Sequence, residues 1–149
     1  MLKGIDPSLN ADILHALRAM GHGDDLIIAD ANFPSDSVAR QTVTGKLLRM
    51  DASASRAVAA VLSVMALDPF VDDAAARMEI VGAPDEIPPV QAEVQAAIDM
   101  AEGKPWPMIP IERYAFYERS KNAYAVIQTG ERRFYGCFAL RKGVIGPEV

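Results

Sequence analysis

A histidine and an aspartate near the start of this 149-residue chain have the spacing and side chains to act on a small molecule. His22 stands between Gly21 and Gly23, and Asp30 directly follows the apolar run at residues 26–29. Histidine titrates nearest to neutral pH of all side chains, and flanking glycines leave the backbone open to a closely approaching ligand. The stretch therefore indicates a proton-transfer group and a carboxylate hydrogen-bond acceptor in one short segment.

A second group of polar side chains lies late in the chain and consists of Arg113, Tyr117, Glu118, Arg119, Tyr124 and Tyr135. Aspartate and arginine hold hydroxyl groups through charge-assisted hydrogen bonds. Together with His22, Asp24, Asp25 and Asp30, these side chains suit general acid–base catalysis on a hydroxylated molecule. A purely structural reading remains open for both groups. His22 fits a solvated helix end, and Glu118 and Arg119 fit a solvated helix face. Ordinary core packing is the alternative for Tyr114, Phe116 and Tyr124.

The sequence lacks the motifs of several common kinds of active site. Thr44-Gly45-Lys46 lacks the glycine-rich loop of a P-loop. The chain contains neither the G-x-G-x-x-G fingerprint of a dinucleotide site nor a G-x-S-x-G nucleophile turn. Its two histidines stand at unhelpful spacing, without clustered carboxylates, for a metal ion. We therefore expect no metal and no cofactor.

Composition limits the partners and the compartment. The net charge is −5 without a basic run, which argues against nucleic acid as a partner. No apolar run approaches the ~20 residues of a membrane span, and the N-terminus does not resemble a signal peptide. The single cysteine, Cys137, excludes an internal disulfide and favours a reducing, cytoplasmic setting. At this length, residues 1–149 are expected to form one domain.

Hydrophobic periodicity predicts that helices alternate with short strands, as in a layered α/β domain. We expect the segment from residue 32 to residue 37 to be a loop, because Pro34 keeps Phe33 out of a helix. Asn10 is predicted to cap the first helix, and Ser53 or Asp51 the second. The predicted helices cover residues 11–20, 54–67, 89–103 and 114–121, and the predicted strands cover residues 26–29, 47–48, 78–81, 108–111, 124–128 and 136–141.

The chain resembles the RbsD/FucU family of sugar mutarotases, and especially its fucose-type branch, over nearly its whole length. The segments that carry this resemblance are Met1-Leu2-Lys3, Met20-Gly21-His22-Gly23-Asp24, Asp30-Ala31-Asn32-Phe33-Pro34, Arg113-Tyr114-Ala115-Phe116-Tyr117-Glu118-Arg119, Thr129-Gly130-Glu131-Arg132, Tyr135-Gly136-Cys137 and Lys142-Gly143-Val144. The resemblance implies a single-domain layered α/β/α fold of the RbsD-like type. It also implies ring-shaped decamers with sites near subunit boundaries, and interconversion of the anomers of free monosaccharides without cofactor or metal.

The resemblance assigns roles to individual residues. His22 matches the acid–base histidine, and Asp30 matches the sugar-binding aspartate. Arg113 matches a sugar-contacting position of the fucose-type branch, and Tyr135 with Gly136 matches the start of a contact segment. We add Tyr117 as a second candidate for handling or positioning a proton.

Two positions depart from the family pattern. Asn32 stands where the family usually has histidine, and Cys137 stands where an asparagine is expected. Asparagine can bond a hydroxyl group but cannot move a proton near pH 7, and cysteine hydrogen-bonds weakly. We keep both as candidate sugar contacts that could change the substrate. They also leave open a sugar-binding accessory protein without turnover, and a scaffold whose pocket no longer acts is a third reading.

Geometry limits how His22 and Asp30 could act together. An extended strand at residues 26–29 would separate them by about 13 Å. Both can reach one sugar only if the glycine loop curls back, or if a neighbouring subunit supplies part of the site. The second arrangement agrees with the oligomer that the resemblance implies.

Overall fold

The computed structural model describes residues 1–148 and has a mixed α/β fold, as the sequence predicts. Its elements in chain order are α1 (Ala11–Ala19), β1 (Asp25–Ala29), α2 (Ser35–Ala39), β2 (Leu48–Arg49), α3 (Ala54–Leu62), β3 (Ala75–Met78), α4 (Pro89–Glu102), β4 (Ile109–Ile111), α5 (Arg113–Lys121), β5 (Ala125–Gln128) and β6 (Phe138–Arg141). α1 and α3 begin where their capping residues predict. Asn10 accepts from the Ile13 amide, and Ser53 accepts from the Arg56 amide.

All six strands form one sheet in the order β2-β5-β1-β6-β3-β4. β6 runs antiparallel to both of its neighbours, β1 and β3, and the other pairs are parallel. β1 lies inside the sheet, with Ile27 opposite Val126 on one side and Ala139 on the other. Strands buried on both faces read as continuous apolar runs, which is why β1 was recognisable in the sequence.

Helices cover both faces of the sheet, so the layered α/β/α arrangement is confirmed. One apolar cluster joins α1, α3 and α4 to side chains such as Leu26, Ile28 and Ile127. The other joins α2 and α5 to the opposite side chains, among them Ile27 and Val126. Alternate residues of β1 therefore pack into different layers, as the two-residue period of a strand requires. Among residues 1–148, no helix is long and apolar enough to cross a membrane.

Three segments differ substantially from the sequence prediction, whereas the other elements agree within about two residues. The segment expected to be a loop contains α2, because the chain turns helical directly after Pro34 and buries Val38 and Ala39. α3 ends at Leu62 rather than at residue 67, since the chain leaves the helix so that Leu67 can pair with Lys142. β3 covers Ala75–Met78 instead of residues 78–81. Pairing with β6 places the strand in this alanine-rich segment, although alanine has a low intrinsic preference for strands.

A network of ion pairs fixes α5 to the start of β1. The carboxylate of Asp25 receives two hydrogen bonds from Arg119, at 3.0 and 3.1 Å, and two from Arg141, at 2.9 and 3.0 Å. Asp73 also bonds Arg141. Burial raises the pKa of Asp25, but the bonds from the two arginines outweigh it and leave that pKa below its ordinary value. Asp25 is therefore ionised at neutral pH.

Acidification below about pH 4 is expected to destabilise this fold. Hydrogen bonds from Arg133 lower the pKa of Glu131 to about 2, and the pKa of Asp25 is also depressed. A depressed carboxyl pKa contributes stability that is complete above the unfolded pKa, near 4, and is lost as the pH falls through the folded value. Urea midpoints measured across a pH series should therefore fall from about pH 4.5 towards pH 2. A midpoint that rose on acidification would contradict this assignment.

Candidate active site

A cavity of about 250 Å³ lies beyond the carboxyl end of β1. This is close to the lower limit of about 300 Å³ for ligand pockets, which suits a small molecule. It brings together six of the eight site residues predicted from the sequence: Asp30, Asn32, Arg113, Tyr117, Tyr135 and Cys137. Three apolar side chains that were not predicted to belong to the site complete the lining: Phe33, Met78 and Phe134.

Asp30 organises the loops around this cavity. One carboxylate oxygen, Oδ1, accepts from the amides of Asn32 and Phe33, both at 2.9 Å. The other, Oδ2, accepts from the amide of Gly136 at 3.1 Å. A carboxylate offers about four acceptor positions, so Oδ2 retains the capacity to accept from a ligand hydroxyl.

Gly136 lies behind Asp30 and is not among the residues that line the cavity. A Cβ atom at this position would come within 2.9 Å of Glu131 Cγ and 3.3 Å of Asp30 Cβ. Glu131 is itself buried and held by Arg133. The structure thus gives Gly136 a close backbone approach to Asp30, and this approach excludes a side chain.

Replacing Gly136 by alanine is therefore expected to weaken ligand binding by displacing the Asp30 carboxylate. Overpacking of this kind typically costs about 1–3 kcal/mol of free energy. When this cost falls on the bound state, the affinity for the ligand drops roughly ten- to hundredfold. Gly146→Ala is a suitable control, because a Cβ atom there meets nothing within 4 Å. Titration of each variant with a sugar ligand would measure the change in affinity. Equal affinity in both variants would show that the fit behind Asp30 is unimportant.

Arg113 and Tyr117 stand one turn apart at the start of α5. Glu112 caps this helix by accepting from the amides of Tyr114 and Ala115. Arg113 Nε donates to the Tyr117 hydroxyl oxygen at 3.1 Å. Because that oxygen accepts from arginine, the phenolic proton of Tyr117 remains available to a ligand. The Arg113 guanidinium is exposed and lies 5.5 Å from the Tyr117 ring, which holds both groups at the cavity.

The two residues that depart from the family pattern both reach the cavity. Asn32 is exposed, whereas Cys137 is buried. Burial raises the pKa of the Cys137 thiol well above its ordinary value, and the charge of Asp30 acts in the same direction. The thiol is therefore neutral and adds an apolar surface to the wall beside Asp30.

His22 lies at the other end of β1 and does not reach this cavity. Its Nε2 atom is 3.0 Å from Asp68 Oδ2, and its ring stacks at a tilt against Phe70, with centroids 5.7 Å apart. The histidine side chain is 47% exposed, whereas Asp68 is 3% exposed. The Phe70 amide donates to Asp68 Oδ1 and lowers the pKa of this carboxyl. Asp68 is thus an ionised partner that orients a solvent-facing imidazole.

The glycine loop does not curl back towards Asp30. The amide of Gly23 donates to the Lys142 carbonyl at 2.9 Å, and Gly21 donates to the Asp24 side chain. These bonds hold the loop against the end of β6, on the side away from the cavity. Asp68 was missed in the sequence because Asp68-Pro69 resembled an ordinary helix stop. No cluster of three or more metal-ligating side chains occurs in residues 1–148.

Comparison with known proteins extends these observations. A profile of the RbsD / FucU transport protein family matches residues 3–145. The chain belongs to the RbsD/FucU family. A fucose mutarotase of Homo sapiens is 40% identical over an alignment of 149 positions that covers 97% of this chain and 94% of the human protein.

Solved structures of family members share the fold. A crystal structure of a putative sugar binding protein is 65% identical, with a TM-score of 0.96, and the match covers 98% of this chain and 97% of that one. The fucose mutarotase of Streptococcus pneumoniae, solved in complex with L-fucose, is 36% identical, with a TM-score of 0.86 over 97% of this chain and 100% of that one. The predicted membership of the RbsD/FucU family is confirmed.

Proposed function

We propose that this protein is a monosaccharide mutarotase, an isomerase that interconverts the anomers of L-fucose or a related free sugar. The observation that carries this proposal is the cavity. It gathers the carboxylate of Asp30, the guanidinium of Arg113 and the hydroxyl of Tyr117 around a space suited to a small hydroxylated molecule. Relatives named fucose mutarotase support the same reaction.

The reaction opens the hemiacetal ring and closes it on the other face of the aldehyde. A base removes the proton of the anomeric hydroxyl while the bond between C1 and the ring oxygen breaks. An acid delivers a proton to that oxygen. After rotation about the C1–C2 bond, the same steps run in reverse and close the ring. His22 and Tyr117 would handle these protons, while Asp30, Asn32, Arg113 and Tyr135 would hold the remaining hydroxyls. General acid–base catalysis of roughly 10²–10⁴-fold is sufficient.

Asp68 determines which nitrogen of His22 is available for this chemistry. An ionised carboxylate only accepts hydrogen bonds, so Nε2 would carry its proton towards Asp68. Nδ1 is then the unprotonated nitrogen that can accept a proton from substrate. The exposed face of the imidazole thus carries the reactive atom, while the buried carboxylate fixes the ring.

We infer that a complete site joins the cavity of one copy to His22 of a neighbouring copy. His22 lies at the far end of β1 in its own chain. An exposed aromatic side chain borders each half, Phe70 beside His22 and Phe134 at the cavity. Contact between the two halves would remove both rings from water. We propose that residues 1–149 act as one domain within a cytoplasmic homo-oligomer, a decamer by family resemblance.

Exchange NMR on free monosaccharides tests this function. Cross-peaks between the α and β anomers of L-fucose should grow with protein concentration. A panel that includes D-ribose and D-galactose would identify the preferred sugar. Exchange at the uncatalysed rate for every sugar would contradict the mutarotase proposal.

A second candidate is a sugar-binding accessory protein that does not turn its ligand over. Asn32 favours it, because this cavity residue is an asparagine where the family usually has a histidine. The 65% identical structure is also named for sugar binding. Broadened sugar signals without anomeric exchange would support this candidate, and restoration of exchange by Asn32→His would attribute the difference to one residue.

A further inference from the structure

Tyr135 lines the cavity with an unusual backbone conformation. Its φ angle is 62°, the left-handed region that favours glycine. A non-glycine residue stays in such a conformation only when its surroundings hold it there. The side chain is held by the Val81 amide, which donates to the Tyr135 hydroxyl at 3.3 Å. The following residue is held by Asp30.

The main chain of Tyr135 is held by a buried glutamine on α4. Gln91 is 0% exposed, and its Nε2 atom donates to the Tyr135 carbonyl at 3.1 Å and to the Met78 carbonyl at 2.7 Å. Both acceptors belong to residues that line the cavity. One amide group therefore uses both of its protons to join β3 to the segment before β6, and the side chain itself never reaches the cavity.

Arg77 orients this amide. Its Nη1 atom donates to Gln91 Oε1 at 3.1 Å, and its Nη2 atom donates to the Pro84 carbonyl at 3.0 Å. Arginine can only donate, so the bond to Arg77 fixes the oxygen of Gln91 on one side and directs its nitrogen towards the two carbonyls. Arg77 precedes Met78 on β3 and points into the opposite layer, as the strand period requires.

We propose that Gln91 is a positioning residue that determines the affinity of the cavity for sugar by fixing Met78 and Tyr135. This inference rests on the proposed sugar site but concerns a residue that touches no substrate. Loss of the two donated bonds would detach the carbonyls of Met78 and Tyr135 from α4 and release the left-handed conformation of Tyr135. The proton-handling groups, His22 and Tyr117, are held by other contacts.

Gln91→Glu tests the inference with little change in shape. The introduced carboxylate still accepts from Arg77 but cannot donate, and it faces the carbonyl oxygens of Met78 and Tyr135. We expect KM for the sugar to rise about tenfold or more, because the bound geometry loses buried hydrogen bonds. We expect kcat to change less than about twofold, since the proton-transfer groups are unaltered.

Gln95→Glu is the matched control one turn further along α4. Gln95 is half-buried and donates to the Asp99 side chain and the Trp106 carbonyl, neither of which lines the cavity. Both variants lose two donated bonds on one helix, so both should lose thermal stability. Only Gln91→Glu should raise KM. A similar rise in both variants, or none in Gln91→Glu, would overturn the positioning role.

A readout without turnover separates this inference from the proposed function. Amide hydrogen exchange at Val81 and Gly136 reports how firmly the segment around Tyr135 is held. Exchange at both amides should accelerate in Gln91→Glu and stay unchanged in Gln95→Glu. If the native protein lacks mutarotase activity, the proposed function fails while this measurement still decides the positioning role. Unchanged exchange in Gln91→Glu would contradict it.

Discussion

Replacing His22 by alanine is expected to lower the rate of protein-dependent anomer exchange by roughly 10²–10⁴-fold. The imidazole is the proposed proton acceptor, and a buried carboxylate at 3.0 Å orients it. Because the side chain is half exposed, its removal should leave the fold intact. Exchange NMR at neutral pH measures the rate, and circular dichroism checks the fold.

His15→Ala is the matched control, since His15 is the only other histidine and lies exposed on α1. It should retain the full rate. Asp68→Asn should be intermediate, because asparagine keeps a partner for the ring but loses the charge that selects the tautomer. Full activity in His22→Ala would remove the histidine from the mechanism.

Replacing Asp25 by alanine is expected to lower the free energy of unfolding by about 3–5 kcal/mol. Its carboxylate is 11% exposed and forms paired hydrogen bonds with both Arg119 and Arg141. Removing it leaves two largely buried guanidinium groups close together, with Asp73 as the ion-pair partner that they still share. Urea denaturation at pH 7 and fixed protein concentration measures the loss.

Asp36→Ala provides the contrast. Asp36 also pairs with an arginine, Arg40, but its side chain is 61% exposed. Exposed pairs of this kind contribute about 0–1 kcal/mol. Equal losses in the two variants would show that the network around Asp25 has no special importance for the fold.

The sequence predicts most of the fold because periodicity and capping act locally. β1 and α4 are recognisable from their apolar patterns, and Asn10 and Ser53 bond as their positions predict. β3 was misplaced because its alanines carry little strand preference, and its position depends on pairing with β6. The short helix α2 depends on the burial of Val38 and Ala39, which is likewise a tertiary effect.

The residues that line the cavity could be predicted for a related reason. The position of His22 relative to the cavity could not. Asp30 directly follows β1, and Arg113 is the first residue of α5. The local sequence therefore indicates where each residue lies in the fold. The position of His22 relative to Asp30 depends on a loop bonded to Lys142, far away in the chain. His22 and Asp30 are close in sequence but lie at opposite ends of β1.

Residues that support the site indirectly leave the weakest signal in a single sequence. Asp68 resembled a helix stop, and Gln91 resembled an ordinary polar residue of an amphipathic helix. Their functions become visible only through partners distant in sequence, His22 for Asp68 and Tyr135 for Gln91. No periodicity or motif connects such pairs.

Hybrid oligomers test most directly whether two copies build one site. His22→Ala would be co-expressed with a pocket variant that carries Arg113→Ala and Tyr117→Phe, each chain with its own affinity tag. Each variant alone should be nearly inactive. Random assembly pairs an intact cavity with an intact His22 of a neighbour in about a quarter of the sites, so the mixture should recover about a quarter of the native rate. Hybrids that purify with both tags but remain as inactive as the separate variants would contradict the shared site.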